Sequence, residues 1–261
     1  MRQKEEYKTC RSNTDKYIKE SIDILYEDNH LLVVIKPSNM LTQGDDSKDE
    51  NILDILKEYI RIKENKKGDA FLGMVQRLDR PTSGIMVFAK TSKAASRLSK
   101  EIREKNLEKR YLTIVSGIMP GKINEKKYIE NYLLKDHDKN KSYVINKKEA
   151  EDKGAKKSKM EYKIIARDEI EKTTLLEINL ITGRSHQIRA SLKEMGFPVL
   201  GDVKYAKYFK YGKKTDKLAL FTYYLKFKHP TKDLDLEFKY TPFKENNLFN
   251  KYKMDILEKV Y

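Results

Sequence analysis

Short apolar segments of strand length follow one another along this chain, and only a few of the segments between them carry a helical pattern. Leu31 to Ile35 is a continuous apolar run, Gly84 to Ala89 is another, and Thr173 to Ile181 has the same character. Strands in direct succession favour antiparallel pairing, because a parallel pair needs a long crossover connection. The sequence therefore predicts an α+β fold with a mixed, largely antiparallel central sheet flanked by helices and loops.

Turn residues and periodicity place the remaining elements. Asp28-Asn29 separates two strands and predicts a β-hairpin over residues 22–35, while residues 218–227 and 234–240 form a second pair around His229-Pro230. Three helices are predicted from apolar residues at the 3.6-residue period. Their boundary residues are Asp49 as the cap of the first, Thr91 as the cap of the second, and Gly183 and Gly196 around the third.

Length and composition limit the class of protein. The 261 residues suit one large domain, which we assign to residues 21–261 behind a polar leader over residues 1–20. Cys10 is the only cysteine, which excludes an internal disulfide and suits a reducing compartment. No apolar run reaches the ~20 residues that span a bilayer. We expect a cytoplasmic protein with no membrane association.

The formal net charge is +15, from 55 Lys and Arg against 40 Asp and Glu. Such an excess favours nucleic acid or anionic lipid as a partner, although a Lys-rich composition can also reflect an AT-rich genome. The Lys-rich residues 135–159 predict a solvated surface hairpin or loop rather than a dedicated RNA-binding finger. Nucleic acid is the partner that the charge favours.

A polar cluster at residues 76–84 precedes a buried strand. Asp79 lies between Arg77 and Arg80, and a cation within ~4–6 Å favours an ionised carboxylate that can act as nucleophile or base. A structural Asp in the turn before Pro81 is the alternative. Ser83 lacks the Gly-x-Ser-x-Gly context of a nucleophile, so we expect it to cap the backbone.

A second polar cluster, residues 182–189, spans a strand end, a glycine and a helix start. Free N–H groups at a helix start favour an anion. Arg189 borders the buried side of this helix and needs an acidic partner inside the domain. His186 can be a general acid or base, but a first-turn His bonded to the backbone is favoured. The other histidines show no metal-ligand spacing with it, so we expect no metal.

These clusters resemble the signature motifs of the RluA-like family of RNA pseudouridine synthases. The resemblance covers residues 22–240 and includes Arg77-Leu78-Asp79-Arg80, Lys109-Arg110-Tyr111-Leu112, Thr182 to Arg189 and Gly196 to Tyr205, with Leu31 to Pro37 before them. It implies the pseudouridine synthase catalytic fold and the isomerisation of uridine in structured RNA.

The resemblance also implies the roles of five residues. Asp79 matches the catalytic aspartate and Arg77 the arginine that enters the stack where the target uridine has been extruded. Tyr111 matches the aromatic residue on the flipped base, and Arg189 the basic residue that pairs with the aspartate. Leu192 contributes to the apolar wall. Asp79 could attack the sugar, attack the base or remove a sugar proton.

Three departures from the family pattern concern loop geometry and substrate preference. Gln76 stands where members commonly have His, Asn39 where a Gly is usual, and Phe221-Thr222 where His-Ala is customary. The isomerisation has no net redox change, and the chain has no nucleotide-cofactor motif, so we expect no cofactor. The resemblance implies a structured RNA as the substrate, either ribosomal or transfer RNA, with the uridine in a loop or bulge, and it favours a monomer.

Two other functions are compatible with parts of the pattern. A non-catalytic RNA-binding protein or RNA chaperone on the same fold would keep the basic surface, but it would not need Asp79, Tyr111 and Arg189 together. A glycoside hydrolase would need a second acid at a fixed separation from Asp79. Asp202 is not a convincing candidate, because it follows Gly201 in what the sequence predicts to be a structural turn.

Overall fold

The computed structural model describes residues 22–206, 215 and 217–261. The leader predicted over residues 1–20, with Cys10, lies outside the described residues. The strands are β1 Ile24–Glu27, β2 Leu31–Lys36, β3 Gly73–Met74, β4 Ser83–Ala89, β5 Glu108–Ser116, β6 Lys127–Asp136, β7 Lys141–Ile145, β8 Lys156–Asp168, β9 Thr173–Leu180, β10 Leu220–Lys228 and β11 Asp235–Lys239. The helices are α1 Ile52–Lys63, α2 Ser92–Arg103, α3 Lys147–Asp152, α4 Gln187–Glu194, the 3-10 helix Asn247–Tyr252 and α5 Lys253–Lys259.

The chain divides into two compact units. The first comprises residues up to Leu107 together with Leu225–Tyr240, and the second comprises Glu108–Tyr224 together with Thr241–Tyr261. The α+β class is confirmed, since mostly antiparallel strands dominate and helices are few. The single domain over residues 21–261 stays a prediction.

The first unit is built around β2 and β4, which pair antiparallel from Leu31↔Ala89 to Lys36↔Gly84. Strand β1 pairs with β2, as the predicted hairpin requires, and β3 pairs with β4. Every residue of β2 and β4 is buried, because both faces of this pair are covered. Their apolar side chains share one core with residues of α2, β10 and β11: Leu31, Val33, Ile35, Ile85, Val87, Ala89, Ala94, Leu98, Leu225, Phe227 and Leu236.

Of the two helix caps predicted in the first unit, one is confirmed and one is wrong. Thr91 caps α2, since its side chain accepts a hydrogen bond from the backbone N–H of Ala94. The cap of α1 is Asn51 rather than Asp49, and the Asn51 side chain accepts from the N–H of Asp54. An amide side chain caps as well as a carboxylate. Asp49 instead pairs with Arg80, at 2.6 Å.

The second unit contains an antiparallel arrangement in the order β5-β9-β8-β6-β7. Strand β5 pairs with β9 from Arg110↔Asn179 to Ser116↔Thr173. The Lys-rich residues 135–159 begin at the end of β6 and contain the turn and the second strand, β7, of a hairpin. They also contain α3 and the start of β8. The sequence does not predict these two elements, because one face of each lies in solvent and carries polar residues.

Helix α4 packs on the inner face of this hairpin. Leu133 of β6, Ala190 of α4 and Tyr205 form a buried cluster, and the Asn131 side chain donates to the Ser191 hydroxyl at 2.9 Å. The helix ends at Glu194 with Met195 as its C-cap, and Gly196 follows in the left-handed region, as predicted. No helix in the part of the chain that the structure describes is long and apolar enough to cross a membrane.

Candidate active site

Asp79 lies in the loop between β3 and β4, in the first unit. The loop is closed by a turn in which the N–H of Thr82 donates to the carbonyl oxygen of Asp79 at 2.9 Å. The Asp79 side chain is half-buried, whereas Arg77 is exposed. The Asp79 carboxylate is thus partly shielded from water, and the turn restricts its backbone. Arg77 extends from the same loop into solvent.

A second loop, after β2, holds the Asp79 loop through side-chain bonds to its backbone. The buried Thr42 hydroxyl donates to the carbonyl of Leu78 at 2.8 Å, and the Ser38 hydroxyl donates to that of Pro81 at 3.0 Å. Arg80 donates in the opposite direction, to the carbonyl of Asn39 at 3.2 Å. These bonds engage residues on both sides of Asp79 and restrict its backbone.

Two of the three departures from the family pattern, Asn39 and Gln76, lie in the first unit. Asn39 has φ of 63°, in the left-handed region where a Gly is usual, and Asn is one of the few other residues that adopts it readily. Gln76 is buried, and within the described residues its Nε2 has no hydrogen-bond partner. The Ser83 hydroxyl likewise finds no partner there, so the prediction that Ser83 caps the backbone is wrong.

Tyr111 lies on β5, in the second unit, opposite Ile178 of β9, and is only 5% exposed. Two residues earlier, Lys109 points to the same face of β5, because side chains alternate along a strand. Burial lowers the pKa of the Lys109 ammonium.

Arg189 and Asp202 form a buried ion pair in the second unit. The Arg189 Nε donates to Asp202 Oδ2 at 2.7 Å and Nη2 donates to Oδ1 at 2.8 Å, with the two side chains 4% and 0% exposed. Asp202 also accepts from the N–H groups of Lys204 and Tyr205, both at 3.1 Å. The Asp202 carboxylate therefore holds both the guanidinium and the backbone that follows it.

Gly201 makes this position of Asp202 possible. Its φ is +82°, and an added Cβ would lie 1.9 Å from the carbonyl oxygen of Lys217. No side chain fits at that distance, so the turn before Asp202 requires glycine. The sequence predicts a structural turn at this point but does not identify Asp202 as the acidic partner of Arg189. The two residues lie 13 positions apart, in two separate segments of the family motifs.

Tyr205 connects this ion pair to His186. Its ring lies 5.2 Å from the Arg189 guanidinium, and its hydroxyl accepts from the Ser142 N–H at 2.7 Å. His186 Nδ1 lies 2.9 Å from the same hydroxyl. His186 has φ of 53° and is the N-cap residue of α4, so it lies just before the first helical turn in which the sequence placed it. Leu192, one turn after Arg189, is fully buried.

The sequence is similar to a defined protein family. A family model described as RNA pseudouridylate synthase matches residues 30–194, more than half of the chain. The chain belongs to this family. Among the described residues, no group of three or more His, Cys, Asp and Glu side chains could hold a metal ion.

Curated pseudouridine synthases are similar to the chain over most of its length. Ribosomal large subunit pseudouridine synthase C of Buchnera aphidicola subsp. Schizaphis graminum (strain Sg) is 34% identical over 225 residues, which are 83% of this chain and 66% of the relative. Ribosomal large subunit pseudouridine synthase D of Borreliella burgdorferi (strain ATCC 35210 / DSM 4680 / CIP 102532 / B31) is 31% identical over 189 residues, 71% of this chain and 55% of the relative. The chain thus spans between half and two thirds of these relatives.

A solved structure supports the fold. Human RNA pseudouridylate synthase domain containing 4 is 20% identical, with a TM-score of 0.69, covering 96% of this chain and 98% of that one.

The five predicted site residues are placed in two groups: Arg77 and Asp79 share one loop of the first unit, and Tyr111, Arg189 and Leu192 lie in the second. Their roles, and the pairing of Arg189 with Asp79, stay predictions.

Proposed function

We propose that this pseudouridine synthase family member isomerises uridine to pseudouridine in structured RNA, with Asp79 as the catalytic residue. The observation that carries the proposal is the half-buried carboxylate on a loop held by side-chain bonds to Leu78 and Pro81. The reaction breaks the N-glycosidic bond, turns the uracil and rejoins it through carbon. It needs one carboxylate in a fixed position, and it adds no group and transfers no electrons overall.

The other site residues support access to the uridine and retention of its base. Arg77, exposed on the Asp79 loop, enters the stack that the uridine leaves. The resemblance assigns Tyr111 and Leu192, which are both buried in the second unit, to the apolar wall around the detached base. Flipping a nucleotide costs a few kcal/mol, least in a loop or bulge, and contacts of this kind offset it. The relatives' names favour RNA of the large ribosomal subunit as the substrate.

Substitution of Asp79 tests the proposal. Asp79→Asn keeps the size of the side chain and removes its charge, so we expect no pseudouridine formation and RNA affinity within a few-fold of the parent. Asp49→Asn is the matched control, because Asp49 is an exposed carboxylate beside the same loop. Turnover by a homogeneous Asp79→Asn protein, free of deamidation to Asp, would exclude the catalytic role. RNA binding without product by the parent would favour the RNA-chaperone alternative.

Substrate geometry tests the base-flipping step separately. A uridine in a stem-loop should react faster than the same uridine in a strand paired to its complement, because unpairing adds to the cost of extrusion. Pseudouridine formation is measured in both RNAs at matched salt. Equal rates would contradict base flipping as the source of selectivity, even if Asp79 proves catalytic.

A further inference from the structure

A cleft opens in the first unit between α2 and the turn that joins β10 to β11. Its volume is about 420 Å³, within the range of small-molecule sites. Helix α2 contributes Arg97, Lys100 and Glu101, and the turn with its flanks contributes residues 228–233. All of these residues belong to the first unit. The cleft is therefore a feature of one compact unit and needs no residue from the other.

The turn that forms one wall of this cleft is fixed by the buried ring of His229. The ring Nδ1 accepts from the backbone N–H groups of Thr231 at 3.2 Å and Lys232 at 3.0 Å. The ring Nε2 lies 2.9 Å from Asp28 Oδ2, and Lys232 Nζ donates to the same oxygen at 2.8 Å. The wall is thus preformed, and Asp28 ties it to the turn between β1 and β2.

Positive charge exceeds negative charge in the cleft. Lys228 pairs with Asp233 at 2.6 Å, but these side chains are 57% and 93% exposed, so the pair contributes little and can be exchanged for another anion. Among the described residues that line the cleft there is no Tyr or Phe on which a base could stack. Four cations face two carboxylates there: Arg97, Lys100, Lys228 and Lys232 against Glu101 and Asp233.

Arg97 has no carboxylate within ion-pair distance in the part of the chain that the structure describes. Its Nη1 donates to the carbonyl oxygen of Pro230 at 2.6 Å, which holds the guanidinium at the cleft. A guanidinium has five N–H bonds in a planar fork, so other donors remain after this one is used. Such a fork matches the geometry of a phosphate group, which offers it two oxygens at once.

The cleft and the Asp79 loop lie at opposite ends of the β2–β4 pair. Asp79 precedes the start of β4, whereas the turn tied to the cleft wall precedes the start of the antiparallel strand β2. The pairing runs from Leu31↔Ala89 to Lys36↔Gly84, so the two ends are roughly 17 Å apart at ~3.4 Å per residue. That distance equals roughly five nucleotide steps of ~3.4 Å each, so one strand of RNA can reach both ends.

We propose that this cleft binds a phosphate of the RNA backbone at a site separate from the target uridine, with Arg97 as the principal contact. The inference rests on the proposed function for the identity of the polyanion. Phosphate contacts fix the register and orientation of a nucleic acid and carry no sequence information. The cleft therefore orients the RNA relative to Asp79 and takes no part in the choice of base.

Arg97→Gln and Arg61→Gln provide a matched comparison within the first unit. Both lower the net charge by one, but the Arg61 guanidinium already binds the Glu58 carboxylate through Nε at 2.7 Å and Nη2 at 2.6 Å. For single-stranded RNA we expect Arg97→Gln to raise Kd roughly 10-fold and to flatten the log–log salt slope by about 0.7, whatever the sequence. Arg61→Gln should change both far less. An unchanged Kd and slope in Arg97→Gln, or equal changes in Arg61→Gln, would overturn the proposal.

Inorganic phosphate distinguishes the RNA backbone from a small anion as the occupant. Thr231 lines the cleft, and the NMR signal of its amide reports whether the cleft is occupied. We expect RNA and inorganic phosphate each to shift this signal in the parent, and neither to shift it in Arg97→Gln. A shift with phosphate but not with RNA would assign the cleft to a small anion and overturn the proposal.

Lysine acetylation of the parent protein provides the test if Arg97→Gln does not fold. Lys100 lines the cleft with its side chain 66% exposed, and Lys57 on α1, 40% exposed, is the control. We expect RNA to slow acetylation of Lys100 several-fold more than that of Lys57. Equal effects at the two lysines would overturn the proposal. These readouts measure binding alone, so a parent protein that forms no pseudouridine would remove the proposed function without deciding the role of the cleft.

Discussion

The buried Arg189–Asp202 pair predicts a large loss of stability when one partner is neutralised. In Asp202→Asn the remaining oxygen can still accept from the backbone N–H groups of Lys204 and Tyr205 and from Arg189 Nη2, which all bond to Oδ1. The new amide N–H₂ replaces Oδ2 and faces Arg189 Nε, now 2.7 Å from that oxygen. Two donors then oppose each other, and the buried guanidinium has lost the negative charge of Asp202.

The expected cost follows from that geometry. Removing one partner of a buried ion pair costs about 3–5 kcal/mol, because the other charge stays buried without compensation. For a chain of this size that corresponds to a fall in Tm of roughly 10 °C. Urea denaturation followed by circular dichroism measures the free energy of unfolding. Glu130→Gln is the control, because its ion pair with Lys157, at 2.7 Å, is exposed on both sides and its loss should have little effect.

A double-mutant cycle identifies the pair as the source of the loss. Arg189→Met removes the other charge, and Arg189→Met/Asp202→Asn removes both while keeping an acceptor for the backbone. We expect the double variant to be more stable than the sum of the single losses by roughly 2–3 kcal/mol. Additive losses, or a loss below about 1 kcal/mol in Asp202→Asn, would refute the reasoning. Arg189→Lys should recover part of the stability, because Lys lacks the planar fork.

Three further expectations concern charge and local structure. Affinity for single-stranded RNA should fall with salt with a log–log slope near −0.7 per phosphate contact, and a salt-independent Kd would contradict the role of the +15 charge. Burial would raise the pKa of Asp28. Hydrogen bonds from the Lys232 ammonium, from the backbone N–H of His30 and from the His229 ring instead hold this pKa well below its usual range. Asp28 therefore contributes stability that is present above pH ~4 and is lost as the pH falls through its lower folded-state pKa, so Asp28→Asn should flatten the acid limb of a pH–stability curve. Asn51→Ala should cost about 1 kcal/mol in urea denaturation, because it removes the cap of α1, whereas Asp49→Ala should not.

Local sequence was sufficient where neighbouring residues decide the structure. Thr91 was identified as a cap because its acceptor and the N–H it satisfies lie three residues apart. The hairpin of β1 and β2 was identified from Asp28-Asn29, whose turn needs no distant contact. Asp49 and Asn51 were both possible caps by residue type, and the choice depended on Arg80, 31 positions after Asp49, which takes the carboxylate.

The sequence by itself determined the fold class, the family and the motif residues, because apolar periodicity, turn chemistry and ordered motifs are local properties of the chain. It also required that Arg189, at the border of the buried side of its helix, have an acidic partner. Only the tertiary structure decided that Asp202 holds this guanidinium, and that the buried ammonium of Lys36, the last residue of β2, donates to the carbonyl oxygen of Arg80 at 3.0 Å. The physical reason is that a charge is stable inside a protein only where separate segments bring its partners within hydrogen-bond distance, and no single segment contains that geometry.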